Sequence, residues 1–145
     1  MKIYLAHSHR CRQDGKWLEH VITAWGHQVY NPFDGDQHAR ELTQAWFKAE
    51  QAGDRKKCLR LCKPIYDKDN KAISAVDVVV AYYPSDSTGT AMEIPISRYE
   101  HKKIVIVLTD TIHPFTNTIA NHILPLTPET PDMLKELLEK ISKEK

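Results

Sequence analysis

Two stretches of the chain, Asp77 to Tyr83 (DVVVAYY) and Lys103 to Leu108 (KIVIVL), are β-branched and apolar with no polar alternation. A strand of that kind buries both of its faces, as the strands of a parallel sheet covered by helices do. Parallel neighbours need a crossover, and the stretch from roughly Gly89 to His101 is long enough to supply it as a helix. Earlier, Lys2 to Ala6 forms a short apolar run, followed by a helix opened by Asp14 as N-cap with Trp17, Leu18, Val21, Ile22 and Trp25 on one face. Gly26 stops that helix. His27 to Asn31 reads as a second strand ended by Pro32. Residues 36–66 form a charged insertion of two helices over the active-site edge of the sheet, with a break at Gly53-Asp54. A helix starting at Asp69 turns Ile73 and Val76 onto the sheet. The last helix opens at Thr130-Pro131 and buries Met133, Leu134, Leu137, Leu138 and Ile141. Strands alternating with helices in this way predict one α/β domain over 1–145, a Rossmann-like or flavodoxin-like three-layer sandwich with a central, mostly parallel sheet of about five strands.

Charge narrows the partners. With 20 basic and 19 acidic residues the net charge is +1, so no global field draws the chain to a nucleic-acid polymer or an anionic membrane, and any anion must be held locally. No apolar run approaches the ~18 residues of a membrane span, and the start of the chain has no signal-like apolar region, so a cytoplasmic location is expected. Three cysteines, Cys11, Cys58 and Cys62, are read as reduced thiols. Cys58 and Cys62 stand at i, i+4 but no second ligand pair follows, so neither a metal nor another cofactor is called for.

In open α/β sheets ligands bind beyond the carboxyl ends of the strands, which selects the loops after Ala6, Asn31, Tyr83 and Leu108. The third of these, Pro84 to Ile94 (PSDSTGTAMEI), is rich in hydroxyls and turns into a helix, so its unpaired N–H groups and hydroxyls can cradle an anion or a hydroxyl. It has neither the lysine of a P-loop nor dinucleotide spacing. Glu93 lies about one turn into the helix, where the dipole favours its ionised form; it is either a helix-start glutamate or a nucleophile. Asp69 is either an N-cap, a role Asp67 fills equally well, or a second acid at the same strand end. Two carboxylates ~5 Å apart suit retaining glycosidic cleavage, one as nucleophile and one as proton donor. Tyr4 in the first strand can orient a neighbouring carboxylate or fill the core.

As an ordered set, Lys2-Ile3-Tyr4-Leu5-Ala6, Tyr30-Asn31-Pro32-Phe33, Asp69 before the AVDVVVAY strand, and Gly89-Thr90-Ala91-Met92-Glu93-Ile94 resemble the nucleoside 2-deoxyribosyltransferase superfamily over roughly Met1 to Leu108. The resemblance implies cleavage of an N-glycosidic bond through a covalent sugar ester. Glu93 matches the nucleophile, Asp69 the acid near the base, and Tyr4 the tyrosine that orients the nucleophile. Six residues before the nucleophile, transferases of free nucleosides carry aspartate and hydrolases of nucleoside 5'-monophosphates carry serine; here it is Ser87, with Asp86 one residue away. Ser8 to Asp14 is similar to the phosphate loop of those hydrolases, with Ser8 and Arg10 as binding candidates beside Ser87 and Gly89. Phe33, Trp46 or Phe47 either stack on the base or fill the core of the inserted helices. Thr116 and Asn117 fall where the family supplies a group to a neighbouring subunit's site, which implies a homodimer or larger oligomer with shared sites. The chain departs from the family in having His7 and Pro95 where glycine is common.

The expected activity is therefore cofactor-free release of the base from (deoxy)nucleoside 5'-monophosphates. The alternatives are base exchange between deoxynucleosides and a non-catalytic nucleotide-binding module.

Overall fold

The computed structural model describes residues 1–144; Lys145, the last residue of the expected domain, lies outside the described residues. The elements run β1 (Lys2–His7), α1 (Arg12–Ala24), β2 (Gln28–Tyr30), α2 (Gln37–Gln51), α3 (Arg55–Ser74), β3 (Val78–Tyr82), α4 (Thr88–Pro95), β4 (Ile104–Leu108), α5 (Pro114–Ile119), β5 (His122–Leu124) and α6 (Thr130–Lys143). A 3₁₀ turn (His9–Cys11) precedes α1 and a π-helical turn (Ile96–Glu100) follows α4. The five strands form one all-parallel sheet in the order β2-β1-β3-β4-β5. This is the flavodoxin-like order, whose direction reverses between β1 and β3.

Strand parity sorts the core into two layers. Ile3, Leu5, Val78, Val80, Ile106 and Leu108 pack on one side against Leu18 and Ile22 of α1 and Leu134, Leu138 and Ile141 of α6. Tyr4, Ala6, Val79, Ala81, Val105 and Val107 face the other side, where Ile73 of α3 and Ile94 of α4 meet them. The three-layer α/β sandwich expected from the β-branched runs is thus present, and the second layer is the one that contains Tyr4.

Several local expectations need correcting. Helix α1 starts at Arg12 after an N-cap at Cys11, so Asp14 lies in its first turn and is not the cap. Its buried face is Gly15, Leu18 and Ile22; Trp17, one position off that stripe and so rotated by ~100°, is 51% exposed. Met133 is likewise off the Leu134–Leu138–Ile141 stripe and exposed. The larger revision concerns Asp69. Helix α3 is capped by the Asp54 side chain, which accepts from Lys57 N, and continues through Pro64 to Ser74. Asp67 and Asp69 are therefore interior residues of one long helix, and neither is an N-cap. The strand β5 and the helix α5 lie in a stretch from which no element was expected; both are short, and β5 is mostly exposed.

Candidate active site

Tyr4 is where the second core layer meets polar chemistry. Its side chain is fully buried, and β1 parity aims it between α3 and α4. There its hydroxyl donates to Glu93 Oε1 at 2.6 Å. Burial and the nearby carboxyl groups of Glu93 and Asp69 raise the Tyr4 pKa well above its ordinary value, so the phenol is a donor and not a phenolate. The Tyr30 ring stacks on Tyr4, centroids 5.7 Å apart and 16° from parallel. Burial, with Asp69 nearby, pushes the Tyr30 hydroxyl up to about 12.

Glu93 is the sixth residue of α4, past the first turn where the helix dipole acts strongly. The expected ionised form is not favoured here: burial is the largest cause raising its carboxyl to about 8, the Asp69 charge adds to the rise, and the Tyr4 hydrogen bond and Lys68 oppose it. Asp69 approaches the same point from α3. Burial raises its carboxyl as well, against the lowering influence of Lys68 and of Tyr4. Lys68 Nζ lies 2.9 Å from Asp69 Oδ1 and donates to the Pro32 carbonyl at 2.6 Å. Glu93, which accepts from Tyr4, and the neighbouring Asp69 are thus two carboxyl groups that burial makes reluctant to ionise together, and such a pair titrates jointly.

The carboxyl of Asp69 opens onto a cleft of ≈ 890 Å³ at the carboxyl ends of β1, β2 and β3, at the switch point. Ser8 and Arg10 line it from the turn after β1, Phe33 from the loop after β2, and Asp86, Ser87 and Gly89 from the start of α4. Ser87 is the N-cap of α4, its Oγ accepting from Thr90 N. A Cβ built on Gly89 would meet nothing within 4 Å, so the protein's own packing does not require glycine there. Trp46 and Phe47 also line the cleft from α2. Tyr4 and Glu93 are not part of the cleft wall and adjoin it through Asp69.

Some sequence candidates lie elsewhere. Thr116 is buried in α5, and Asn117 Oδ1 accepts from His113 N at the start of that helix; neither lines this chain's cleft. Three residues to which the sequence assigns no individual role also stand at the site. Tyr30 and Lys68 flank the carboxyl pair, and the His9 ring lies 3.7 Å from that of Phe47 between centroids on the cleft wall. Lys68 had a signal in its adjacency to Asp69, but a helix begun at Asp69 placed it in a loop. The two departures from the family pattern are absorbed locally. His7 is buried against Gly15, and Pro95 ends α4 just before the π-helical turn, where Ser97 Oγ donates to the Glu93 carbonyl at 2.6 Å. Glu93 stays on Tyr4.

A second cleft of ≈ 720 Å³ lies along the starts of β1 and β2, bounded by Lys2, Val29, Pro64 and Lys71. It is at the wrong end of the strands for the ligand rule of such sheets. Among the described residues no helix is long and apolar enough to cross a membrane, and no group of three or more His, Cys, Asp or Glu side chains is placed to hold a metal ion.

No protein-family model matches the chain, and no curated protein matches it. Solved structures do. The chain is similar to a 2-deoxyribosyltransferase from Bacillus psychrosaccharolyticus, with 18% identity and a TM-score of 0.64 over 93% of this chain and 90% of that one. It is also similar to a CMP N-glycosidase from Clostridium botulinum, with 16% identity and a TM-score of 0.52 over 96% and 99%. A pilus assembly-related protein from Burkholderia pseudomallei aligns with 12% identity and a TM-score of 0.55 over 97% and 87%. Likeness at this level shows the fold, which hosts more than one function.

Proposed function

We propose that the protein is an N-glycosidase of nucleoside 5'-monophosphates within the nucleoside 2-deoxyribosyltransferase superfamily, with Glu93 as nucleophile and Asp69 as proton donor. The observation that carries the reading is the Tyr4–Glu93 hydrogen bond of 2.6 Å with Asp69 beside it, at the switch point of a flavodoxin-like sheet. Glu93 Oε attacks C1' of the sugar, the C1'–N bond pair leaves with the base, and the Asp69 carboxyl protonates the departing nitrogen. Water then attacks C1', Asp69 takes its proton, and the ester bond to Glu93 breaks, giving the sugar phosphate with net retention. One proton on the pair is enough, because the first step needs Glu93 ionised and Asp69 protonated, and the second needs Asp69 ionised while Glu93 is held in the ester.

Phosphate recognition is assigned to Ser87, Gly89, Ser8 and Arg10. A hydroxyl and helix-start amides attract a dianion that a carboxylate would repel. The open space over Gly89 supports a ligand lying close to that backbone. Phe33, Trp46 and Phe47 supply stacking surface for the base. A working oligomer with shared sites remains part of the proposal through Thr116 and Asn117, although the burial of Thr116 leaves Asn117 the more accessible of the two.

One observation favours a second reading. Asp86 lines the same cleft as Ser87, and a carboxylate there suits the hydroxyls of an unphosphorylated sugar, as base exchange between deoxynucleosides would require. Incubation with matched nucleosides and nucleotides, with and without a foreign base, separates the two by chromatography. Free base from the monophosphates alone is the expected result; a new nucleoside formed from free deoxynucleoside would assign transfer. Thermal stabilisation by nucleotide with no base released would leave a non-catalytic module.

A further inference from the structure

We propose that Lys68 is a positioning residue of the carboxyl pair, holding Asp69 in place and, by its charge, keeping the pair to a single proton at working pH. The inference deepens the glycosidase reading and rests on it for its kinetic consequences. Three observations support it. The Lys68 side chain is 9% exposed, which is rare for lysine unless it is paired. Its ammonium makes two contacts that tie separate parts of the site together, the Pro32 carbonyl in the loop after β2 and Asp69 Oδ1 in α3. And Asp69 Oδ1 is buried with no aligned hydrogen bond of its own, so the cation 2.9 Å away compensates it.

The groups facing Asp69 come from four elements: Tyr4 from β1, Tyr30 from β2, Glu93 from α4 and Lys68 from α3. Tyr4 and Tyr30 are neutral and Glu93 is an acid, so Lys68 is the one cation among them. A nearby opposite charge favours the ionised form of a carboxyl. Without the ammonium, both proton losses of the pair would be harder. The pair would then hold two protons over a wider pH range, which leaves no nucleophile.

The test compares Lys68→Met, Lys68→Arg and, as a control, Lys71→Met, whose lysine is exposed and borders the other cleft. Two measurements are made, the pH profile of kcat/KM for base release and the carboxyl-carbon NMR titration of Asp69 in protein labelled at aspartate. In Lys68→Met the acid limb and the Asp69 titration are both expected to move to higher pH, with kcat/KM on that limb down about tenfold, kcat carrying most of the loss. Lys68→Arg and Lys71→Met are expected to leave both in place. An Asp69 titration unmoved in Lys68→Met, or moved as far in Lys68→Arg, would overturn the proposal. If Lys68→Met does not fold, Lys68→Gln takes its place in the same comparison: an Asp69 titration moved to higher pH upholds the charge role and an unmoved one contradicts it. A wild-type protein that releases no base would refute the glycosidase reading, while the NMR titration would still decide the role of Lys68.

Discussion

At the scale of single residues, the chemistry turns on the proton shared by Glu93 and Asp69. The Glu93 carboxyl rises from an ordinary 4.5 to about 8 in the folded protein. Between those values the folded state binds more protons than the unfolded state, so stability falls as pH rises through that window. Asp69 is raised in the same direction and adds to the slope. Glu93→Gln removes one of the two groups, and its denaturation midpoint, measured from pH 4.5 to 8, is expected to fall less with pH than that of the wild type. A steeper fall in the variant would contradict the assignment. Tyr4 acts in the opposite sense, because its hydrogen bond favours ionised Glu93. A hydrogen bond to a charged group is worth ~1.5–3 kcal/mol, so Tyr4→Phe should lower kcat/KM roughly 10- to 100-fold and move the acid limb of the profile to higher pH. The side-chain parity of Tyr4 was legible in β1. The raised pKa of Glu93 was not, since helix position pointed to easy ionisation and only three-dimensional burial opposes it.

At the scale of elements, what was legible depended on whether one segment carried its own signal. The runs in β3 and β4 announced buried parallel strands because every residue in them is apolar and packed. Strand β5 has three residues, of which His122 and Ile123 are exposed, so it exists by pairing with β4 and leaves no periodic trace. Helix α3 misled for a physical reason: Pro64 and the acidic residues Asp67 and Asp69 look like a helix boundary, yet contacts with α2 and the sheet carry the helix through them. Between β1 and α1, His7 and Gly15 form a pair that only the folded structure shows. A Cβ on Gly15 would come 2.4 Å from His7 Nε2, and the His7 ring is fixed between the Ser8 carbonyl and Asn31 Oδ1. Gly15→Ala is expected to cost ~1–3 kcal/mol, read by chemical denaturation. The cost should shrink in His7→Ala/Gly15→Ala relative to His7→Ala alone, and additive losses in that cycle would show that the two residues do not meet.

At the scale of the whole molecule, the order β2-β1-β3-β4-β5 brings residues far apart in sequence to one place. Tyr4, Asp69 and Glu93 come from a strand and two helices that share only the second core layer. The order of these residues along the chain suggested the assembly, and the parallel sheet provides it. With a net charge of +1 no global field attracts an anion, so the proposed phosphate recognition rests on a few placed groups at the cleft, which Arg10 and Lys68 both line. Glu93 as the nucleophile is tested by following base release from a nucleoside 5'-monophosphate by chromatography with wild type and Glu93→Gln. Wild type is expected to free the base, and Glu93→Gln, still folded, to be slower by at least ~10³-fold. Release by Glu93→Gln within tenfold of wild type would contradict that role.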